Sequence, residues 1–354
     1  MKKTFFLLAY FFLTFNLSQA QDPTFSQYYN NPLFYNPGFT GIFPGLNINT
    51  SIRRQWSKIP SQYNTKSISA DINNPCIKSG AGILLVDDNE GEGKLRTITV
   101  GLSFAYKIVN SKKFVLQFGA QACGVQKKID WERLVFSDQI NQYNSYVVST
   151  SNYAPDNSKK YYPDFNGGIV AVFNAFHFKK NMKLSFSKRN YWLLGISYAH
   201  ISEPNQALYG LESTLPHKLG IQLSFFKGLK DYNSDKNDNF IIPSFQWERQ
   251  NEFRASMISL TAKFLGINLG ISYRNQKLLI IGGHFDALIY DFDINLNKND
   301  DTYKIGLSYD QTVSKMRTNT NGTIEISFKI CSPKTSLICR GSSMSKKHII
   351  CPRF

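Results

Sequence analysis

The side chains that most often do chemistry are all present, but their spacing fits no reaction. His177, His200, His217, His284 and His348 are scattered, with no His-Glu-x-x-His and no partner one helical turn away. They read as lumen or girdle histidines of a sheet protein. Asp87-Asp88-Asn89-Glu90-Gly91-Glu92 and the stretch 231–239 offer hard oxygen ligands of the kind calcium takes. Neither completes a calcium loop, and the second carries Lys236 where the turn glycine belongs and Ile242 where the bidentate Glu belongs. Cys339, His348 and Cys351 are zinc-ligand types at a spacing that fits no standard site. Four Gly-x-Ser-x phrases, at Gly101, Gly195, Gly270 and Gly306, suggest a nucleophile elbow, but the required second Gly is replaced by Ala105, Ala199, Arg274 and Asp310. No phosphate loop, paired carboxylate or Cys-His pattern is evident. The expectation is a protein with no catalytic residue, no metal and no cofactor.

The same phrases say more about the elements that carry them. Ile98, Val100, Leu102, Phe104 and Tyr106 alternate with Thr97, Thr99, Gly101, Ser103 and Ala105. The pattern recurs in Ile267 to Arg274, Tyr303 to Asp310 and Thr323 to Ile330. Period two over eight to ten residues predicts strands with one large apolar face and one small or polar face. A soluble sandwich would bury the apolar face, whereas an outer-membrane barrel turns it to lipid and lines its lumen with the polar one. Aromatic residues make up 14% of the chain, and Tyr106, Tyr198, Tyr273 and Tyr309 sit near strand ends, which suits interfacial girdles.

The expected fold is therefore all-β, an antiparallel transmembrane β-barrel spanning residues 46–330. About fifteen candidate strands are legible, with Phe253 to Phe264 and Ala287 to Asn295 the weakest. Single-chain bacterial barrels have even strand numbers, so fourteen is the expectation and sixteen the alternative. Tight connections are expected at Asn110-Ser111 and Asn275-Gln276, and a long outward one from Lys127 to Pro163.

Lys2-Lys3, an apolar run from Phe5 to Leu17 and Ser18-Gln19-Ala20 read as a cleaved signal peptide over residues 1–20, and hence as export. No later run is long enough for a membrane helix, and the mean hydropathy is −0.28. The formal charge of +16 points to acidic partners. For an exported chain those are anionic lipid head groups or an acidic protein surface; nucleic acid is not expected. Five cysteines, three of them in the tail 331–354, allow a disulfide among Cys331, Cys339 and Cys351, with free thiols as the alternative.

Residues 21–45 obey no period. Asn31-Pro32 and Asn36-Pro37 bracket Leu33, Phe34 and Tyr35, and each proline removes a backbone donor and pushes the residue before it out of the helical region. With Phe25, Tyr28, Tyr29 and Phe39 nearby, the segment is too apolar to remain a solvated linker. The inward Gly and Ser of the barrel leave room for it, so it is expected to sit in or against the periplasmic mouth as a docking or plug segment without forming a strand.

Gln21-Asp22-Pro23, Phe25-Ser26-Gln27-Tyr28, Asn31-Pro32-Leu33 and Asn36-Pro37 through Gly41 together resemble the opening motif of the PorP/SprF family of type IX secretion outer-membrane proteins. Gly38 stands in place of the usual Ala. Arg54-Gln55-Trp56 resembles the end of that family's first strand, with Arg53 where an aromatic residue is usual, and Ser67 to Asp71 resembles the next strand. Tyr162 to Phe165 with Gly167-Gly168-Ile169, and Gly306 to Asp310 with Glu325-Ile326-Ser327, are similar to later motifs. Leu288 to Thr302 departs from the family. The resemblance implies an outer-membrane location and non-enzymatic work with other type IX components and secreted cargo, such as adhesins used in gliding motility. The alternative to docking for residues 21–45 is that they order only when cargo or another secretion component captures them. Gln21, Asp22, Pro23, Phe25, Tyr28, Asn31, Pro32, Asn36, Pro37, Gly41, Arg54, Gln55, Trp56 and Asp71 are then the partner-binding or structural residues. A channel or small-molecule transporter is the alternative function, and an outer-membrane hydrolase a more distant one.

Overall fold

In the computed structural model, residues 22–333 are described apart from 60–62, 93, 112–113, 136–138, 141–158, 175–189, 209, 211, 230–238, 265, 276–285, 299–300 and 314–319. The signal peptide, Gln21, Cys339, His348 and Cys351 lie outside the described residues, as do His177, His284 and most of the second acidic stretch.

Alternation closes the sheet on itself. The strands are β1 (Leu46–Gln55), β2 (Tyr63–Asn74), β3 (Ser79–Glu90), β4 (Leu95–Asn110), β5 (Phe114–Lys128), β6 (Lys159–Asn174), β7 (Tyr191–Ala199), β8 (Lys218–Gly228), β9 (Phe240–Gln250), β10 (Phe253–Phe264), β11 (Ile267–Asn275), β12 (Ala287–Lys298), β13 (Asp301–Thr312) and β14 (Thr323–Ser332). Each pairs antiparallel with its neighbours in sequence, and β1 closes the ring against β14 through Leu46↔Ser332 to Gln55↔Thr323. This is a fourteen-strand barrel with no free edge. The two weakest candidates are β10 and β12, and the departure at Leu288 to Thr302 is β12 with the start of β13.

The faces divide as a lipid-borne barrel requires. Leu102 is 64% exposed and Leu307 49%, while the adjoining Ser103 and Ser308 are 6% and 1% exposed, so the apolar side chains point outward and the small polar ones inward. Among the described residues no helix is long and apolar enough to cross a membrane.

β1 starts and β14 ends at one rim, called here the terminal rim. The opposite, loop rim carries the connections from β1 to β2, from β5 to β6 and from β7 to β8, the longest among them. By the rule that long loops of such barrels point outward, the loop rim faces the cell exterior. One expected tight turn is corrected: β11 ends at Asn275, but the ladder resumes only at Ala287. Asn-Gln carries no enforced positive φ, so the dipeptide did not fix a turn there.

Candidate functional site

The N-terminal segment lies inside the barrel and runs through it. A 3-10 turn (Tyr28–Asn30), a short helix α1 (Pro32–Tyr35) and a second 3-10 turn (Pro37–Phe39) follow the sequence closely. Both prolines occupy a first helical position, where the missing N–H has no partner to lose. The expected position at the periplasmic mouth is corrected. Asp22 sits at the loop rim, beside the ends of β7 and β9, and the chain descends the lumen to reach β1 at the terminal rim. Polar wall groups at every depth supply partners, so no single mouth captures the segment.

At the loop rim, His200 bridges two carboxylates, with Nε2 2.8 Å from Asp22 and Nδ1 2.8 Å from Asp164. Lys218 Nζ lies 3.8 Å from the same Asp22 oxygen and 3.2 Å from Glu248. Burial alone would lower the His200 pKa; the two carboxylates and their hydrogen bonds outweigh it and raise it to about 10. Burial also works against the Asp22 carboxylate, but His200, Lys218 and Gln250 hold it well below the usual range.

Deeper in, Glu325 receives two consecutive backbone N–H groups, Ser26 at 2.6 Å and Gln27 at 3.2 Å. Ser26 Oγ donates to Asp310 at 2.7 Å and accepts from Arg53. Arg53 also neutralises Asp310 at 3.1 Å and Glu325 at 3.6 Å, and Arg274 approaches Asp310 at 3.4 Å. Gln27 Nε2 donates to Asp293 at 3.0 Å, and Lys304 Nζ lies 2.7 Å from that residue's other oxygen. These charges are dry and depend on one another for pairing. The Tyr35 hydroxyl accepts from the Phe25 N–H and donates to the Phe25 carbonyl, closing the segment on itself.

The aromatics fill apolar wall positions. Phe25, Tyr28 and Tyr35 pack with Met257 and Ile289; Leu33 packs with Leu84 and Val86; Phe39 packs with Val170, Leu193, Phe226, Phe240 and Ile242. Asn36 Nδ2 donates to the carbonyls of Ile169 and Ile196, while its Oδ1 accepts from Gly38 N at 2.7 Å. Gln117 donates to the carbonyls of Gly38 and Thr40. Gly119 and Gly168 give the Asn36-Pro37-Gly38 turn its groove, since a Cβ at Gly119 would collide with the Pro37-Gly38 backbone and one at Gly168 with the Asn36 side-chain amide. Gly41, at φ +61°, turns the chain toward β1, and its N–H is held by Asp71 at 2.8 Å.

Of the residues singled out from sequence, Asp22, Pro23, Phe25, Tyr28, Asn31, Pro32, Asn36, Pro37, Gly41 and Asp71 are brought together. Arg54 is not: it is exposed on the outer face, and its neighbour Arg53 is the one that reaches Ser26. Gln55 and Trp56 line a cavity of about 480 Å³ at the loop rim, floored by Pro23, Phe25 and Tyr35. Sequence reasoning missed Glu325, Asp310, Asp293, Gln117 and His200. The signal was the inward phase of their strands, which marks the first four as lumen residues. Cys331 is disulfide-bonded and so is Cys76, which the sequence reading had left aside; Cys123 is free and buried. Among the described residues no group of three or more His, Cys, Asp or Glu is placed to hold a metal ion.

Residues 17–330 match the family model described as "Type IX secretion system membrane protein PorP/SprF". No curated protein matches the sequence. Solved structures similar to the chain include the Ralstonia pickettii toluene transporter TbuX, at 10% identity and TM-score 0.44 over 84% of this chain and 92% of that one. Acinetobacter baumannii Omp33 is similar at 8% identity and TM-score 0.40 over 83% and 100%. A Pseudomonas aeruginosa FadL homologue is similar at 11% identity and TM-score 0.41 over 83% and 91%.

Proposed function

Because the chain belongs to the PorP/SprF family of type IX secretion system membrane proteins, we propose that it is a non-enzymatic outer-membrane component that docks, helps export or surface-retains secreted cargo. The observation that carries this reading is the occupied lumen. Inward side chains from mid-height toward the loop rim are as inaccessible as a protein core: Ser51, Ser69, Asp293 and Glu325 are all 0% exposed. An open conduit would leave them wet. The buried acids and bases also serve the segment's seat, where Glu325, Asp310 and Asp293 each hold a group of Ser26 or Gln27, which argues against a hydrolase.

The test is deletion of residues 22–39 with the signal cleavage site kept. Under this reading the variant inserts, loses cargo display and gains conductance in a planar bilayer. If the intact protein already conducts small solutes, and deletion leaves cargo display unchanged, the channel reading replaces this one.

A further inference from the structure

The outer face carries a second feature that the lumen does not explain. At the loop rim, Arg96 on β4 stands directly opposite Lys128 on β5, and Lys128 directly opposite Lys159 on β6. All three side chains are exposed. They fall on the phase that points away from the lumen, in line with Ile98 and Val100 on β4 and Tyr161 on β6. Like charges directly opposite one another in a ladder repel. Arg96 has its own counter-charge, a two-point pair with Asp87 at 2.7 and 3.1 Å. Among the described residues no carboxylate pairs with Lys128 or Lys159, and Asp130 beyond them is taken by Arg133. The next pair in the ladder, Lys127↔Lys160, falls on the opposite phase, and Lys127 turns into the lumen to donate to Gln206, so the outward row is Arg96, Lys128 and Lys159 alone.

The position of this row narrows what neutralises it. It crowns the lipid-facing apolar band, above Val100, Leu102 and Phe165, with Tyr161, 66% exposed, beside it. An aromatic ring between apolar band and charge marks the level of the head groups. By the loop-rim assignment that level belongs to the outer leaflet. At the terminal rim the exposed basic residues among those described are Lys78 and Lys227, which lie far apart in the strand order.

We propose that Lys128, Lys159 and Arg96 bind the phosphate of an outer-leaflet glycolipid, with its acyl chains lying along β4 to β6. A phosphate between the two lysines removes their repulsion, and Arg96 Nη1, which the two-point pair with Asp87 leaves unused, supplies a further charged donor on one side. The site is independent of the lumen segment and of the cargo reading.

The experiment uses the purified full-length mature chain in detergent, with diphosphorylated lipid A, its dephosphorylated form and inorganic phosphate as probes, read by native mass spectrometry. The wild type retains the phosphorylated lipid, and the double variant Lys128→Gln/Lys159→Gln loses about tenfold in affinity. Lys78→Gln retains it unchanged, and excess inorganic phosphate does not displace it. Heat-modifiable migration on gels shows that each variant is folded. Equal retention by the double variant, equal retention of the dephosphorylated lipid, or full displacement by inorganic phosphate would each overturn the proposal.

Discussion

Gly119→Ala separates a seated segment from a loosely held one. A methyl group at Gly119 would overlap the Pro37 carbonyl and lie 2.6 Å from the Gly38 nitrogen, so backbone must move, not a flexible side-chain tip. Overpacking of this kind costs about 1–3 kcal/mol. The shift also strains the two bonds from Gln117 to the Gly38 and Thr40 carbonyls, worth about 1 kcal/mol each. Against this stand five buried side chains, Phe25, Tyr28, Leu33, Tyr35 and Phe39. At roughly 1.5–3 kcal/mol apiece they hold the segment by on the order of 10 kcal/mol. The second figure wins, so the segment stays in the lumen while residues 36–40 loosen. Gly124→Ala on the same strand is the control, because its Cβ would meet nothing within 4 Å. Removing a strand glycine there should be neutral or stabilising by about 0.5–1 kcal/mol. Urea titration in detergent with hydrogen exchange over residues 36–40 reads both effects. Equal stability of the two variants, or unchanged protection at residues 36–40, would refute the groove argument.

The clamp on Asp22 makes a pH prediction. The His200 pKa is raised from 6.5 to about 10, so its contribution is complete below pH 6.5 and disappears as pH rises through 10. Asp22 is shifted the other way, and its share is present above pH 3.8 and lost only in stronger acid. Wild-type stability should therefore fall by a few kcal/mol at most between pH 6.5 and 10, while His200→Gln shows a shallower slope; identical slopes would sink the assignment. Leu307→Arg should destabilise by about 2–4 kcal/mol if that strand centre meets the bilayer midplane, whereas Ser308→Ala on the lumen side should cost under about 1.5 kcal/mol. Equal losses in a folding titration would mean that the outward face does not meet lipid.

Much of the barrel was legible because alternation is a local property. Leu307 and Ser308 declare opposite faces without reference to any other strand, and an even count follows from antiparallel closure. The occupied lumen was only half legible. The two Asn-Pro steps announce an irregular apolar segment, and the inward glycines announce space, but nothing local says how far along that space the segment runs. That is fixed by long-range polar partners such as Asp22 with His200 and Glu325 with Ser26, which are 178 and 299 residues apart in the chain.

Arg53 and Arg54 show where the sequence misleads. Adjacent arginines at the end of one strand look interchangeable, yet period two sends one into the lumen and the other out. The alternation of Ile48, Ile52 and Arg54 against Asn49, Ser51 and Arg53 already contains the answer, since Asn49 and Ser51 mark the inward phase. An arginine in that phase has no water to pay for its charge and must meet carboxylates from other strands. Asp310 and Glu325 share that inward phase on β13 and β14, and barrel closure sets β14 beside β1, with Arg53 opposite Glu325. The seat for Ser26 and Gln27 is therefore a product of closure. It is assembled from the first strand and the last three, with Asp293 of β12 holding Gln27, and before β14 pairs with β1 the Arg53 cation and the Glu325 carboxylate stand on opposite edges of an open sheet.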